Sequence, residues 1–222
     1  MELTLPSGTA AYTAPSDGAV RGLVVYPDVW GLRPLFTDMC DDLATRTGWS
    51  VGCIEPFPGR ELPGESDPEG APTRFAVMSE LDDSRLLGDA VALADELDVE
   101  SVGLIGFCMG GMYALKASAT GRFDRVAAFY GMIHVPEGWR GPGQGEPLDA
   151  LARRSGTEVM AIVGSADPYA PADHVQELRD AGVEVVVYEG AEHGFVHDAS
   201  RPAHRADYAA DAWGRVLTFL AG

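Results

Sequence analysis

Short apolar runs alternate with amphipathic segments along the whole chain, and this alternation restricts the possible folds more than any other feature. Six runs are typical of buried strands, at residues 19–27, 49–56, 101–106, 126–131, 158–167 and 183–190. Helical patterns follow or separate them at residues 34–48, 84–97, 108–119, 147–156, 170–182 and 201–222. Such an order predicts an α/β fold, with a mostly parallel sheet covered by helices on both faces. We expect a single domain over residues 1–222.

Two glycine- and proline-rich stretches, residues 56–72 and 135–147, interrupt the alternation. Both are predicted to be long irregular loops. Because loops at the carboxyl end of a parallel sheet carry specificity, we expect these two to border the mouth of a ligand site.

Charge and cysteine content narrow the classes of function. The 34 acidic and 16 basic residues give a formal net charge of −18, which disfavours binding to nucleic acid or to anionic membranes. The N-terminus lacks the basic and apolar regions of a signal peptide, and no apolar run has the length of a membrane span. Three cysteines without a CxxC pair argue against a disulfide framework or a zinc site. A reducing, cytoplasmic location is therefore expected.

The segment "GFCMGG" places Cys108 on a candidate nucleophile elbow. Gly106-x-Cys108-x-Gly110 lies between a predicted strand and a predicted helix, as the serine does in the Gly-x-Ser-x-Gly elbow. A helix N-terminus at this point favours the thiolate form. The alternative is that Cys108 only packs in the core, which is the role we expect for Cys40 and Cys53.

A base and an orienting acid are available at the ends of later strands. Asp167 closes the strand at 158–167, and His193 follows the last strand. With Cys108 they appear in the order nucleophile, acid, base, and all three lie where ligand sites of parallel sheets form. The alternatives are that His193 is an ordinary loop histidine and that Asp167 caps the next helix.

The remaining histidines do not predict a metal site. His134 falls in a loop, and His174 and His204 fall in predicted helices. His197 lies four residues from His193, a spacing that binds metal on a helix, but Gly194 and the lack of a Glu-x-x-His frame disfavour this. No dinucleotide fingerprint is present either, so we expect neither a metal nor a cofactor.

An oxyanion hole requires two N–H donors beside the nucleophile. The backbone N–H of Met109 is next to Cys108, and the loop "DVWGL" after the first predicted strand offers the N–H of Val29.

Five segments in this order resemble the dienelactone hydrolase family of the α/β-hydrolase superfamily: "VVYPDVWGL", "VGCIEPF", "VGLIGFCMGG", "VGSADPYAP" and "YEGAEHGF". The resemblance implies an α/β-hydrolase fold and a small-molecule lactone or activated ester as substrate. It implies hydrolysis by Cys108, His193 and Asp167 through an acyl-thiol intermediate. It also places Val29 and Met109 at the oxyanion hole.

Several positions depart from the family pattern. Asp28 stands where the family has a glutamate that interacts with the thiol, and His197 stands where it has a substrate-binding arginine. Arg74 and Arg60 are the candidates for a remaining arginine anchor. Loss of a permanent cation at position 197 predicts a preference for neutral over anionic substrates, or a preference for acids that appears only below roughly pH 6.5, where His197 is charged.

Two other functions share some of these features. A glutamine-amidotransferase-like protein also presents a cysteine on an elbow, but pairs it with a His-x-Glu arrangement, whereas Gly194 and Phe195 follow His193. A thiol sensor or small-molecule binder without turnover would need only the reactive cysteine.

Overall fold

The computed structural model describes residues 1–222, and a single mixed sheet of eight strands runs through them. The strands are β1 (Glu2–Thr4), β2 (Ala10–Ala14), β3 (Arg21–Tyr26), β4 (Ser50–Ile54), β5 (Ser101–Phe107), β6 (Arg125–Phe129), β7 (Glu158–Gly164) and β8 (Glu184–Tyr188). Their spatial order is β1-β2-β4-β3-β5-β6-β7-β8. β2 pairs antiparallel with β1 and β4, and all pairs from β4 to β8 are parallel.

Helices cover both faces of this sheet. They are α1 (Pro34–Thr47), α2 (Gly70–Ala76), α3 (Asp83–Glu96), α4 (Met109–Ala117), α5 (Pro147–Arg153), α6 (Ala172–Asp180) and α7 (Ala206–Ala221). On one face Phe36 of α1 and Val216 of α7 enter the core. On the other, Leu93 of α3, Met112 of α4 and Leu178 of α6 do so. None of the helices combines the length and the apolar composition that crossing a membrane requires.

The central strands are apolar because neither of their faces meets water. In β5, Val102, Leu104 and Ile105 have no exposed surface, although successive side chains point to opposite faces. A strand covered on both sides needs a continuous apolar run rather than an alternating one. The segment "SVGLIGF" meets this requirement and brings the residue that follows it to the centre of the sheet edge.

The predicted α/β-hydrolase architecture is confirmed, with all six predicted strands and all six predicted helices present. The largest boundary error concerns α7, which begins at Ala206 rather than at residue 201. The carboxylate of Asp198 accepts a hydrogen bond from the Ser200 N–H at 2.9 Å and pairs with Arg201 at 3.3 Å, and these contacts hold a turn before the helix. His204 therefore lies before the start of α7 and not in a helix, contrary to the prediction.

Three elements were not predicted. β1 has only three residues, and β2 is partly exposed and lacks an apolar run. α2 is a seven-residue helix at the end of the first glycine- and proline-rich stretch, with Pro72 in its first turn, where the missing N–H does no harm. Short edge elements of this kind depend on the contacts they make rather than on their own periodicity.

The α2 region packs against the second irregular loop, residues 135–147. The Phe75 and Trp139 rings stack with centroids 5.8 Å apart. The Gln144 side-chain amide donates to the Met78 carbonyl at 2.6 Å. These contacts hold the second loop against the segment that follows the first.

Candidate active site

Cys108 lies on a sharp turn between β5 and α4. Its φ of 56° is positive and its ψ is −117°, a conformation that a side-chain-bearing residue rarely adopts. A Cβ added at Gly106 would lie 2.0 Å from the carbonyl oxygen of Gly110, so glycine is required for the turn to close. The backbone therefore holds Cys108 in the geometry of a nucleophile elbow.

The start of α4 packs directly against the end of β3. A Cβ on Gly110 would lie 2.2 Å from the Tyr26 carbonyl oxygen, which shows how closely the two backbones approach. This contact brings Met109, the first residue of α4, next to the loop that carries Val29. The N–H of Val29 donates to no acceptor within the protein, and the N–H of Met109 has no carbonyl four residues earlier within the helix. Both predicted oxyanion donors are thus available to a ligand.

Asp167 and His193, the predicted acid and base, are in direct hydrogen-bond contact. The Nδ1–H of His193 donates to Oδ2 of Asp167 at 2.8 Å. The other carboxylate oxygen, Oδ1, accepts a hydrogen bond from the Tyr169 N–H at 2.9 Å. Both oxygens of this buried carboxylate are therefore held in place. The Ala166 N–H donates to the Ala191 carbonyl at 3.0 Å and joins the loops that carry the two residues.

The other ring nitrogen of His193, Nε2, is buried and makes no hydrogen bond within the protein. Burial acts against a charged imidazole, but Cys108 and Asp167 more than offset it and raise the pKa of His193 to about 10. Cys108 is near enough to the ring to raise this pKa, although Nε2 makes no hydrogen bond to its sulfur. Edge-on contacts with Tyr169 and Tyr130, with centroids 5.0 Å and 5.2 Å from His193, restrict the ring further.

The carboxylate of Asp28 makes no hydrogen bond to the thiol of Cys108, the contact that the family resemblance suggests. Its carboxylate binds Arg33 through two contacts of 2.7 Å and 3.1 Å and accepts the Nε2–H of His197 at 2.9 Å. Burial would raise the pKa of Asp28, but the hydrogen bonds from His197 and Arg33 hold it well below its usual range. The acid is one methylene shorter than glutamate, and its hydrogen bonds go to these partners rather than to Cys108.

His197 is fully buried, which differs from its predicted role as a substrate contact. Its Nδ1 accepts a hydrogen bond from the Tyr130 hydroxyl, and its ring stacks on that of Phe107 with centroids 5.0 Å apart. Burial lowers the pKa of His197 despite the neighbouring Asp28. Burial therefore favours the neutral ring, which offers no cation to a substrate.

Arg74 has a structural partner at the oxyanion loop instead of the predicted substrate. Its Nη1 donates to the Val29 carbonyl at 3.2 Å, and its guanidinium lies over the rings of Phe57 and Trp30 at 5.3 Å and 5.7 Å. The side chain is buried. It holds the peptide of Val29 in place.

Arg60, the other predicted anchor, is bound elsewhere. It makes an ion pair with Glu80 at 2.7 Å on a partly exposed surface. The structure therefore presents neither predicted arginine as a free cation.

Arg33 and Arg201 are the charged groups that the sequence interpretation missed. Besides Asp28, both contact Glu65, Arg33 at 3.6 Å and Arg201 at 3.0 Å. A signal was present, because Arg33 follows Asp28 by five residues and Arg201 follows His197 by four. No pattern indicated that a buried acid would bring them together.

Comparison with known proteins agrees with this geometry. The dienelactone hydrolase family model matches residues 9–222. A Bradyrhizobium protein named "Probable 2-oxo-3-(5-oxofuran-2-ylidene)propanoate lactonase" is 28% identical over 215 residues, covering 91% of this chain and 84% of its own. A Rhodococcus opacus carboxymethylenebutenolidase is 26% identical over 217 residues, covering 93% and 83%.

The fold is shared with solved structures. A Klebsiella pneumoniae protein described as "Putative Dienelactone Hydrolase" superposes with a TM-score of 0.86 at 24% identity, over 100% of this chain and 97% of that one. With a family match over nearly its whole length and an elbow, an acid and a base in the expected order, this chain belongs to the dienelactone hydrolase family.

Proposed function

We propose that the chain hydrolyses neutral lactones or activated esters, with Cys108 as the nucleophile and His193 and Asp167 as its base and orienting acid. One observation carries the proposal. The Nε2 of His193 is buried, lies beside Cys108 and has no hydrogen bond within the protein, while its Nδ1 is fixed by Asp167. A ring held in this way has one nitrogen left for a proton transfer.

In the first half-reaction, the thiol proton of Cys108 already lies on His193, whose pKa is about 10, and the Cys108 sulfur attacks the substrate carbonyl carbon as a thiolate. The carbonyl oxygen becomes an oxyanion, which accepts hydrogen bonds from the N–H groups of Met109 and Val29. As the carbon–oxygen bond to the leaving group breaks, His193 returns its proton to that oxygen. In a lactone the leaving group stays on the same molecule as a free hydroxyl or enol.

In the second half-reaction, water hydrolyses the acyl-thioester. His193 accepts a proton from the water as the water oxygen attacks the carbonyl carbon, and the same N–H groups hold the new oxyanion. The carbon–sulfur bond then breaks, and Cys108 leaves as a thiolate. The product is a carboxylic acid, and no cofactor enters either half.

The charges around Asp28 support the preference for neutral substrates. Arg33 and Arg201 are the partly exposed cations in this region, and they are shared among Asp28, Glu65 and Asp198. Two cations facing three carboxylates leave no surplus positive charge for an anionic substrate. The protonation of His197 that the sequence suggested below roughly pH 6.5 is opposed by its burial.

The proposal is tested by trapping the acyl-enzyme. With p-nitrophenyl acetate we expect a burst of nitrophenol followed by turnover, and an acetyl group on the peptide that contains Cys108 after acid quenching. Cys108→Ala should abolish both. Cys40→Ala is the matched control, because Cys40 is buried in α1 and should leave the burst unchanged.

Two results would contradict the proposal. Turnover that survives in Cys108→Ala would show that another group is the nucleophile. A burst without turnover would instead favour the thiol sensor, because such a protein is acylated once and stays acylated.

A further inference from the structure

Three side chains that bind metals converge where the loop after β6 meets α6. His134 lies in that loop, and His174 and Glu177 are three residues apart on one face of α6. The ligand atoms of all three lie within 4.8 Å of one another. None of them belongs to the hydrolytic site described above.

We propose that His134, His174 and Glu177 bind a late first-row divalent cation, for which Zn²⁺ is the representative. Two imidazoles and one carboxylate are a ligand set that zinc accepts, with a fourth position left for water. Ligand atoms of a tetrahedral zinc ion are about 3.3 Å apart, given bond lengths of about 2.0 Å. Ligand atoms 4.8 Å apart need to close by about 1.5 Å, and all three residues are at least partly exposed.

The orientation of His134 is already that of a metal ligand. Its Nε2 lies 3.1 Å from Oε2 of Glu177, on the side of the cluster, while its Nδ1 faces Oε2 of Glu146 at 3.8 Å. Glu146 is itself fixed, because it accepts the Val135 N–H at 2.9 Å. A carboxylate behind the distal nitrogen is the usual partner of a metal-bound histidine, since it sets the tautomer and increases the basicity of the ligand.

A simple ion pair between His134 and Glu177 explains less of this arrangement. It leaves out His174, whose ring lies edge-on to His134 with centroids 4.5 Å apart and which makes no hydrogen bond within the protein. Glu146 also faces the cluster and pairs with Arg140 at 3.5 Å. The formal charge of −18 favours the approach of cations in general.

A bound ion would join two parts of the fold that border the active site. It would fasten the loop after β6 to α6, and α6 follows the loop that carries Asp167. Because the unfolded chain holds no preformed site, binding would also raise the thermal stability of the folded protein.

The test has to separate this site from the thiol and imidazole of Cys108 and His193, which also bind zinc. We therefore start from the Cys108→Ser chain, dialysed against a chelator, and titrate it with Zn²⁺ by calorimetry. We expect one ion per chain and a rise in melting temperature. Bound Co²⁺ should give the visible absorption of a four-coordinate ion.

Variants in the same background locate the ion. His174→Gln and His134→Gln should each lose saturable binding, and Glu146→Gln should weaken it by roughly 10- to 100-fold. His204→Gln is the matched control and should bind as its parent does. Circular dichroism checks that each variant is folded.

The proposal is overturned if the Cys108→Ser parent shows no saturable binding. It is equally overturned if both folded histidine variants bind Zn²⁺ as tightly as the parent does.

Discussion

The Nε2–H of His197 donates to Oδ2 of Asp28 across 2.9 Å, and neither side chain has more than a trace of exposed surface. This pair occupies two positions where the family pattern has a glutamate and an arginine. Here the acid is bound by an internal imidazole and by Arg33, so the two residues belong to the support of the oxyanion loop rather than to a substrate subsite.

Removal of the Asp28 charge is expected to destabilise the fold. Asp28→Asn would leave Arg33 and the buried His197 without their carboxylate, and the loss of one partner of a buried ion pair costs about 3–5 kcal/mol. Urea unfolding measures the difference. Asp173→Asn, at an exposed position of α6, is the control and should change stability little.

The free energy of unfolding is expected to fall as the pH decreases below roughly pH 6.5. The pKa of His197 is lowered in the folded state, so the unfolded chain takes up this proton first and stability declines below roughly pH 6.5. The pKa of Asp28 is also lowered, and its contribution is present above roughly pH 3.9 and is lost below it. Urea titrations across this range should show both losses in the wild type, with the second reduced in Asp28→Asn.

Activity is expected to decline on the alkaline side as His193 loses its proton. With a pKa of about 10, His193 is protonated at neutral pH and loses its proton above about pH 10. The decline in kcat/KM should be steep for an alkyl ester, whose leaving group needs a proton, and shallow for a p-nitrophenyl ester. In Asp167→Asn the limb should move to lower pH, because Asp167 helps to raise this pKa. If the alkaline decline in kcat/KM stays at the same pH in Asp167→Asn, a group other than His193 causes it.

Asp167→Asn should also lower kcat at neutral pH. The amide cannot orient and stabilise the imidazolium as the carboxylate does, and the corresponding change in serine triads costs roughly 10⁴-fold. We expect a smaller loss than in His193→Ala, measured as steady-state hydrolysis of p-nitrophenyl acetate. A larger loss in His134→Ala would mean that the base has been misassigned.

Arg74 and Arg60 offer a matched pair of substitutions. Arg74→Met should lower kcat more than it raises KM, because the Val29 carbonyl loses a donor and the oxyanion loop loosens. Arg60→Met should change neither, since it breaks only a partly exposed ion pair with Glu80. A rise in KM confined to anionic substrates in Arg60→Met would restore Arg60 as an anchor.

The substrate preference is tested with an acid and its methyl ester of the same lactone. We expect kcat/KM to favour the neutral compound at neutral and alkaline pH, and His197→Arg to be poorly folded because it buries a second guanidinium beside Arg33. A strong preference for the acid in the wild type would contradict the charge balance around Asp28 and would point to Arg33 or Arg201.

The elbow and the positions of six strands along the chain were predictable because each rests on local sequence. Gly106 is required by its contact with Gly110, four residues later, and the apolar runs around the elbow reveal strands directly. Asp167 and His193 followed from the rule that functional residues collect at the carboxyl ends of parallel strands.

The surroundings of Asp28 were not predictable for the opposite reason. Arg33 comes from the loop after β3, whereas His197 and Arg201 come from the loop between β8 and α7. Nothing in the local sequence sets which of these side chains turns inward. The burial of Arg74 was not predictable either, because it results from the rings of Trp30 and Phe57, which lie far from Arg74 in the sequence. Side-chain burial at loop junctions depends on tertiary packing, which periodicity does not report.

The positive φ of Cys108 strains the backbone at the residue that we propose as the nucleophile. A conformation of this kind costs about 1–3 kcal/mol for a residue with a side chain and almost nothing for glycine. Selection for thermal stability alone would therefore favour glycine at position 108, and under the proposed function that change would remove the nucleophile. Screens that select variants of this chain for heat resistance need an activity filter at this position above all others.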